Sequence, residues 1–274
     1  MSRTIARLLH GLTDVATLGQ TPSKRAATMA RLIERLDLAS AHTVETRHGP
    51  IKTLPLRGPH LAAAAIGFHE EEPETLGWID AMPDGAVFYD VGAATGLFSM
   101  YAALRPALTV YAFEPKATSF GVLVEHLALN GMGERVFPMP VALSDETAAI
   151  RFTLSALAPQ SGMNSVGGVA DQFGKTHDAF VQGALAYRLD DLISTFQLPP
   201  PTHLKIDVDG IEGAILRGAP LALKGVQSVV LEVEGENAAE AATRIDPPLQ
   251  AAGLVEDVSF RTKGSARNRH YVRI

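Results

Sequence analysis

Carboxylates gather in this sequence where apolar runs stop. In HLKIDVDGIEGAIL, Asp207, Asp209 and Glu212 fall within six positions. Such crowding costs repulsion unless the acids meet a cation, a row of amides or a substrate donor. Asp207 still belongs to the apolar run and points opposite to Val208, which favours a functional role. Asp209 and Glu212 are equally suited to cap a helix, three residues apart in capping-box spacing. The next run, SVVLEVEGE, carries Glu232 or Glu234 to the same rim. An all-oxygen set of Asp207, Asp209 and Glu232 could attract Mg²⁺, but the spacing requires none and no metal is assigned.

A second constellation lies upstream. In FYDVGAATGLFS, Gly92 and Gly96 flank a tight turn that leads into a helix, so backbone can approach a ligand closely there. Ala94 stands where a dinucleotide fingerprint would place its middle glycine, and no phosphate-loop GK[ST] ending follows. Packing alone could also explain both glycines. Further on, YAFEP ends in Glu114 and Pro115. An acid at that place can accept hydrogen bonds from both ribose hydroxyls of a nucleoside, or simply favour a helix start. The glycine turn and the acid carry more together than either does alone.

Elements must position these groups. From Asp84 onward, apolar strands alternate with helices: strands at Ala86–Val91, Leu108–Phe113, Arg135–Leu143, His203–Val208 and Ser228–Val233, with helices at Gly96–Leu104, Lys116–Asn130 and Glu212–Leu223. Continuous apolar strands in this rhythm predict a parallel sheet covered on both faces. Residues 148–187 interrupt it as a hairpin and a long loop before a strand at Phe180–Tyr187. A loop of that length in a compact domain suggests a lid. The C-terminal LVEDVSFRTKGSARNRHYVRI reads as an antiparallel pair at a sheet edge, its basic turn solvated. Upstream, two helices and a short hairpin around His48-Gly49-Pro50 occupy residues 1–84. The second helix should start at Thr21-Pro22.

Composition narrows the function. The 274 residues are 46% hydrophobic and 20% charged, enough for a core. A net charge of −6 argues against a broadly basic nucleic-acid binder. The absence of cysteine removes thiol nucleophiles and thiolate metal sites. Nine histidines include no HExxH pattern. No stretch reads as a signal peptide or a membrane span, so a soluble, cytoplasmic protein is expected.

FYDVGAATG, AFEP, Ala142-Leu143-Ser144, YRLDDL and KIDVDGIEGAILRGA together resemble the FkbM family of S-adenosylmethionine-dependent methyltransferases. The upstream EEPETLGWID is similar to what precedes that family's first motif. The resemblance runs from about Phe68 to the C-terminus, with Ala94 where the family usually has Asn and Asp209 where it often has Glu. It implies an α/β class I methyltransferase (Rossmann-like) fold of seven mostly parallel strands, the last antiparallel, plus an N-terminal helical extension. The domain would cover residues 85–274, with 148–187 as an insertion.

It also implies roles. The methionine end of S-adenosylmethionine would rest against Gly92, Ala93 and Gly96, ribose would meet Glu114, and adenine would pack near Pro115, Lys116, Ala142 and Leu143. Asp90 and Asp207 would border the sulfonium. Transfer to a hydroxyl needs a base, worth roughly 10²–10⁴-fold. Asp207 is the first candidate and Glu232 the second, with Asn164, Ser165 and Asp209 as acceptor contacts. His177 reads as an exposed loop residue. The expected activity is O-methylation of a small molecule, natural product or glycan, releasing S-adenosylhomocysteine. Carboxylate or amine methylation and non-catalytic cofactor binding are the alternatives. Partners would be the acceptor and, through the N-terminal helices, a second copy of the chain; neither nucleic acid nor membrane is expected.

Overall fold

The computed structural model describes residues 11–161, 165–166 (backbone only), 180–208, 210–233 and 243–274. Its centre is a seven-stranded sheet. The strands of this sheet are β3 (Val87–Val91), β4 (Thr109–Phe113), β5 (Val136–Met139), β10 (His203–Ile206), β11 (Ser228–Glu232), β12 (Leu254–Glu256) and β13 (Asn268–Arg273), in the order β12-β13-β11-β10-β3-β4-β5. β13 runs antiparallel to both neighbours, while β11, β10, β3, β4 and β5 pair in parallel. The chain moves outward from β3 through β4 to β5, then returns to β10 on the other side. This reversal opens a crevice between β3 and β10, where ligands sit in such sheets.

Alternation along each strand sends side chains to two separate cores. Phe88, Val110, Val136 and Val230 join one. Tyr89, Val91, Tyr111, Phe113, Leu204, Ile206 and Leu231 join the other. Each such side chain contributes roughly 1.5–3 kcal/mol on full burial. The first core also takes Val44 and Ile51 from the hairpin β1 (His42–Thr46) and β2 (Gly49–Thr53), and Phe68, Leu76 and Trp78 from the helices that follow. The helix α1 (Pro22–Ala39) starts as expected, with Pro22 in its first turn and Thr21 Oγ1 accepting from Lys24 N–H at 3.4 Å. Within it only Asp37 is buried, paired with Arg57 at 2.9 Å.

Three expectations are corrected. The segment Arg135–Leu143 is two strands: β5 stops at Met139, and the two-residue β6 (Ala142–Leu143) leaves for another sheet. Pro140 lies in the gap, where it can donate no ladder hydrogen bond. Second, the insertion pairs more widely than a hairpin: the strand expected at Phe180–Tyr187 is present as β9, and with β7 (Ala148–Leu154) and β8 (Ser165–Val166) it joins β6 in a four-stranded sheet of order β6-β9-β7-β8. β7 pairs antiparallel with β9 along its whole length. Third, the helix after β10 covers only Glu212–Arg217. Gly218-Ala219-Pro220 ends it because proline removes an N–H and clashes with the preceding turn. A separate short turn, Ala222–Lys224, is capped by Asp190, which accepts from Leu221 N–H at 2.9 Å and Ala222 N–H at 2.8 Å. The N-cap before Glu212 is Ile211, and Glu212 Oε1 accepts from Gly210 N–H at 3.2 Å; the capping expected of Asp209 lies outside the described residues.

Candidate active site

A cavity of about 200 Å³ opens at the β3/β10 crevice. Gly92, Ala94, Glu114, Pro115, Ala142, Leu143 and Asp207 line it, so one chamber unites both constellations of the sequence. Phe113, Val141, Phe152, Ile211 and Ile215 supply an apolar sleeve. Lys116, Ser119, Gln160 and Ser161 supply a polar end wall.

Backbone builds the side near β4. Gly92 and Ala93 N–H both donate to Phe113 O at 3.0 Å, tying the turn to β4. Glu114, 7% exposed, accepts from Ala94 N–H at 2.9 Å and from Lys116 N–H at 2.7 Å. Its carboxylate is thus held in place by two peptide dipoles. Ala94 adopts φ +50°, the left-handed region that favours Gly or Asn over other residues. The local conformation therefore explains the Asn usual in the resembled pattern without any side-chain contact.

Packing requires glycine at both places. A Cβ on Gly92 would stand 1.9 Å from Asp207 O, and one on Gly96 would stand 2.2 Å from Leu123 Cδ1. Both also have positive φ, +84° and +86°. Gly96 and Ala93 do not line the cavity. Asp90 does not either: it is 1% exposed, takes a 2.5 Å hydrogen bond from Ser99 Oγ–H, and leaves Oδ1 without a partner among the described residues. Burial raises its pKa, with Lys205 and Ser99 opposing.

Side chains build the other side. Lys205, with a side chain only 2% exposed, points from within β10 to Asp207 Oδ2 at 2.6 Å and lies over the Phe98 ring at 4.8 Å. Its burial opposes the charge, yet Asp207, Glu72 and Asp90 outweigh it and the pKa rises. Asp207 opens to the cavity with 31% of its side chain exposed. Burial would raise its pKa, but Lys205 and then a hydrogen bond to Glu232 hold it below the usual carboxylate value. Two carboxyls bond to each other only when one keeps a proton. Glu232 is that one: burial and the charge of Asp207 push its pKa up, against Arg267 at 3.3 Å. Glu232 does not line the cavity; it reaches it through Asp207.

The sequence reading assigned nothing to Lys205, Glu72 or Gln160. A lone lysine two residues before Asp207 in an otherwise apolar strand was the available signal, since that spacing puts both on one face. Nothing marked Gln160. Asn164, Asp209, His177 and Glu234 lie outside the described residues, and Ser165 contributes backbone only. Among the described residues, no cluster of three His, Asp or Glu side chains could hold a metal ion, and no helix is long and apolar enough to cross a membrane.

The model of the methyltransferase FkbM domain matches residues 90–254, more than half of the chain. The chain belongs to the FkbM methyltransferase family. A curated relative, the hexuronic acid methyltransferase AglP of Haloferax volcanii, is 27% identical over 150 residues, 54% of this chain and 55% of that protein. The chain thus matches about half the length of that relative. Among solved structures, the methyltransferase FkbM from Methylobacillus flagellatus has a TM-score of 0.46 at 15% identity, covering 70% of this chain and 45% of that one. An S-adenosylmethionine-dependent methyltransferase from Agrobacterium tumefaciens has 0.45 at 8% identity, covering 85% and 70%.

The chain carries a methyltransferase FkbM domain on a class I, Rossmann-like sheet, and the cofactor of that family is S-adenosylmethionine. The cavity fits that cofactor at both ends. An apolar sleeve beside a fixed carboxylate suits an adenosine, and the carboxylate of Asp207 in the same lining suits a positively charged sulfonium. When bound, the cofactor supplies a methyl group already activated on positive sulfur.

Proposed function

We propose that this protein methylates a hydroxyl oxygen, most simply on a sugar-like or other small polar acceptor. The carrying observation is Asp207, held by the buried Lys205 at 2.6 Å and open to the cavity, with Glu232 as its carboxyl partner. An amine or carboxylate acceptor would have less use for such a pair. The named substrate class of the Haloferax volcanii relative supports a sugar acceptor.

On this reading, Glu114 holds the ribose, and Ala142, Leu143 and Pro115 flank the adenine. Asp207 Oδ accepts the acceptor's hydroxyl hydrogen bond and orients its oxygen; such positioning is worth about 7–11 kcal/mol of a barrier. Lys205 keeps Asp207 ionised and in place. The hydroxyl proton passes to Asp207 and is shared with Glu232. Arg267, 49% exposed beside Glu232, marks the solvent side from which the pair can release it. The pair accepts a proton readily only after Glu232 has lost its own, so turnover should rise with pH through the raised pKa of Glu232.

A mass-spectrometric methyl-transfer screen over sugar, uronic acid, amine and carboxylic acid acceptors tests the proposal. Methylated products carrying the group on oxygen of a hydroxyl support it. Products confined to amines or carboxylates would overturn it.

A further inference from the structure

The polar end wall of the cavity comes from a segment no motif announces. After β7, residues 156–161 fold back over the glycine turn. Gln160 Oε1 accepts from Thr95 N–H at 3.2 Å and from Thr95 Oγ1–H at 2.6 Å, while Gln160 N–H donates to Ser119 Oγ at 3.2 Å. Lys116, 1% exposed, donates from Nζ to Ala158 O at 2.8 Å and Ser161 O at 3.2 Å, and also bonds Ser161 Oγ. Gln160 itself sits at φ +62°, a left-handed backbone that glutamine adopts only under constraint. These contacts, rather than local preference, set its place.

The consequence is directional. With Oε1 committed to Thr95, the amide plane is fixed. Its Nε2, a donor of two hydrogens, has no hydrogen-bond partner among the described residues, and Gln160 lines the cavity. The cofactor carries one anionic group, the carboxylate of its methionine part. That group would be repelled from Glu114 and Asp207, both of which line the chamber. The wall formed by Gln160, with the buried ammonium of Lys116 bonded to the same segment, offers a donor and a positive field instead. We propose that Gln160 recognises the amino-acid carboxylate of the cofactor through Nε2, its own oxygen being locked on Thr95. The proposal rests on ribose lying at Glu114.

Two ligands separate this role from a merely structural one. S-adenosylhomocysteine and 5′-methylthioadenosine share the adenosine and the sulfur, and only the first has the amino acid. Calorimetry with wild type, Gln160→Ala and Gln160→Gly should show S-adenosylhomocysteine affinity falling roughly tenfold, as for one hydrogen bond to a charged group. The affinity for 5′-methylthioadenosine should stay within about twofold. Both variants keep the bonds from Lys116 to Ala158 and Ser161 and from the residue 160 N–H to Ser119, and Gln160→Gly in addition accepts the left-handed backbone without strain. Gln160→Glu should weaken S-adenosylhomocysteine more than either variant, because two carboxylates then face each other. Equal losses for the two ligands, or an unchanged S-adenosylhomocysteine affinity, would overturn the proposal. Failure of wild type to bind S-adenosylhomocysteine would overturn it together with the cofactor assignment beneath it.

Discussion

The two sides of the cavity each hold a carboxylate, but by different means. Glu114 is gripped by the backbone N–H groups of Ala94 and Lys116. Asp207 is gripped by the side chains of Lys205 and Glu232. Peptide amides hand no proton to Glu114 and hold it in one place, as suits a binding group. Side-chain partners can exchange protons, so Asp207 can change state during a reaction. The same functional group becomes a clamp or a base according to what holds it.

Exchanging the acid on the reactive side should have the largest effect. Asp207→Asn preserves shape and removes the basic oxygen, and turnover should fall about 10²–10⁴-fold while cofactor affinity changes far less. Steady-state kinetics alongside calorimetry reads both. Near-normal turnover would move the base to Glu232 alone. On the clamp side, Glu114→Ala removes charge-assisted bonds worth roughly 1.5–3 kcal/mol each. S-adenosylmethionine binding should weaken by about ten- to a hundredfold with the fold intact. Unchanged affinity would end the ribose assignment.

The contrast also has a pH signature. Glu232→Gln removes the group whose pKa is raised by burial and by Asp207. The acidic limb of the kcat profile should then shift toward the ordinary carboxylate range, whereas Glu114→Gln should leave its position alone. An identical limb in wild type and Glu232→Gln would break the paired-carboxyl reading. Stability has a separate dependence. Burial and then His270 lower the pKa of His203 to about 4 from 6.5. A depressed folded value means that this stability is present above the unfolded pKa and is lost as pH falls through the folded one. Denaturant titrations between pH 7 and pH 4 should therefore show a loss of up to roughly 3 kcal/mol from this residue. A flat profile across that window would show that His203 is not held neutral. The smallest effect belongs to Ala94. Ala94→Gly suits its positive φ and should stabilise by about 0.5–1 kcal/mol, less the entropy glycine loses on folding. Thermal melting would show it.

Much of the main sheet was legible because its strands are short apolar runs separated by helices, each readable by itself. Thr21-Pro22 and the hairpin around Gly49 were legible for the same local reason. The second sheet was not. β7 and β9 are far apart in sequence, and β6 contributes two residues in parallel, a pairing no periodicity records. At the site, Asp207 and Glu114 stood out because acids ending apolar strands are unusual. Lys205 did not, because its meaning depends on Asp90 from β3 and Glu72 from before the next helix, which arrive only in three dimensions. Gln160 depends on Thr95, 65 positions away.

The contact between Gly92 and the carbonyl of Asp207 has a bearing on how mutational scans of such enzymes are interpreted. Any side chain at position 92 must displace the strand end that carries Asp207, and the displacement would reach the reacting atoms. A library screened for activity would rank Gly92 beside the acids that line the cavity, although displacement of that strand end would by itself account for the loss. Loss of function at a glycine of this turn is therefore no sign of a ligand contact. Only a separate measurement of cofactor affinity and of turnover tells a hinge from a hand.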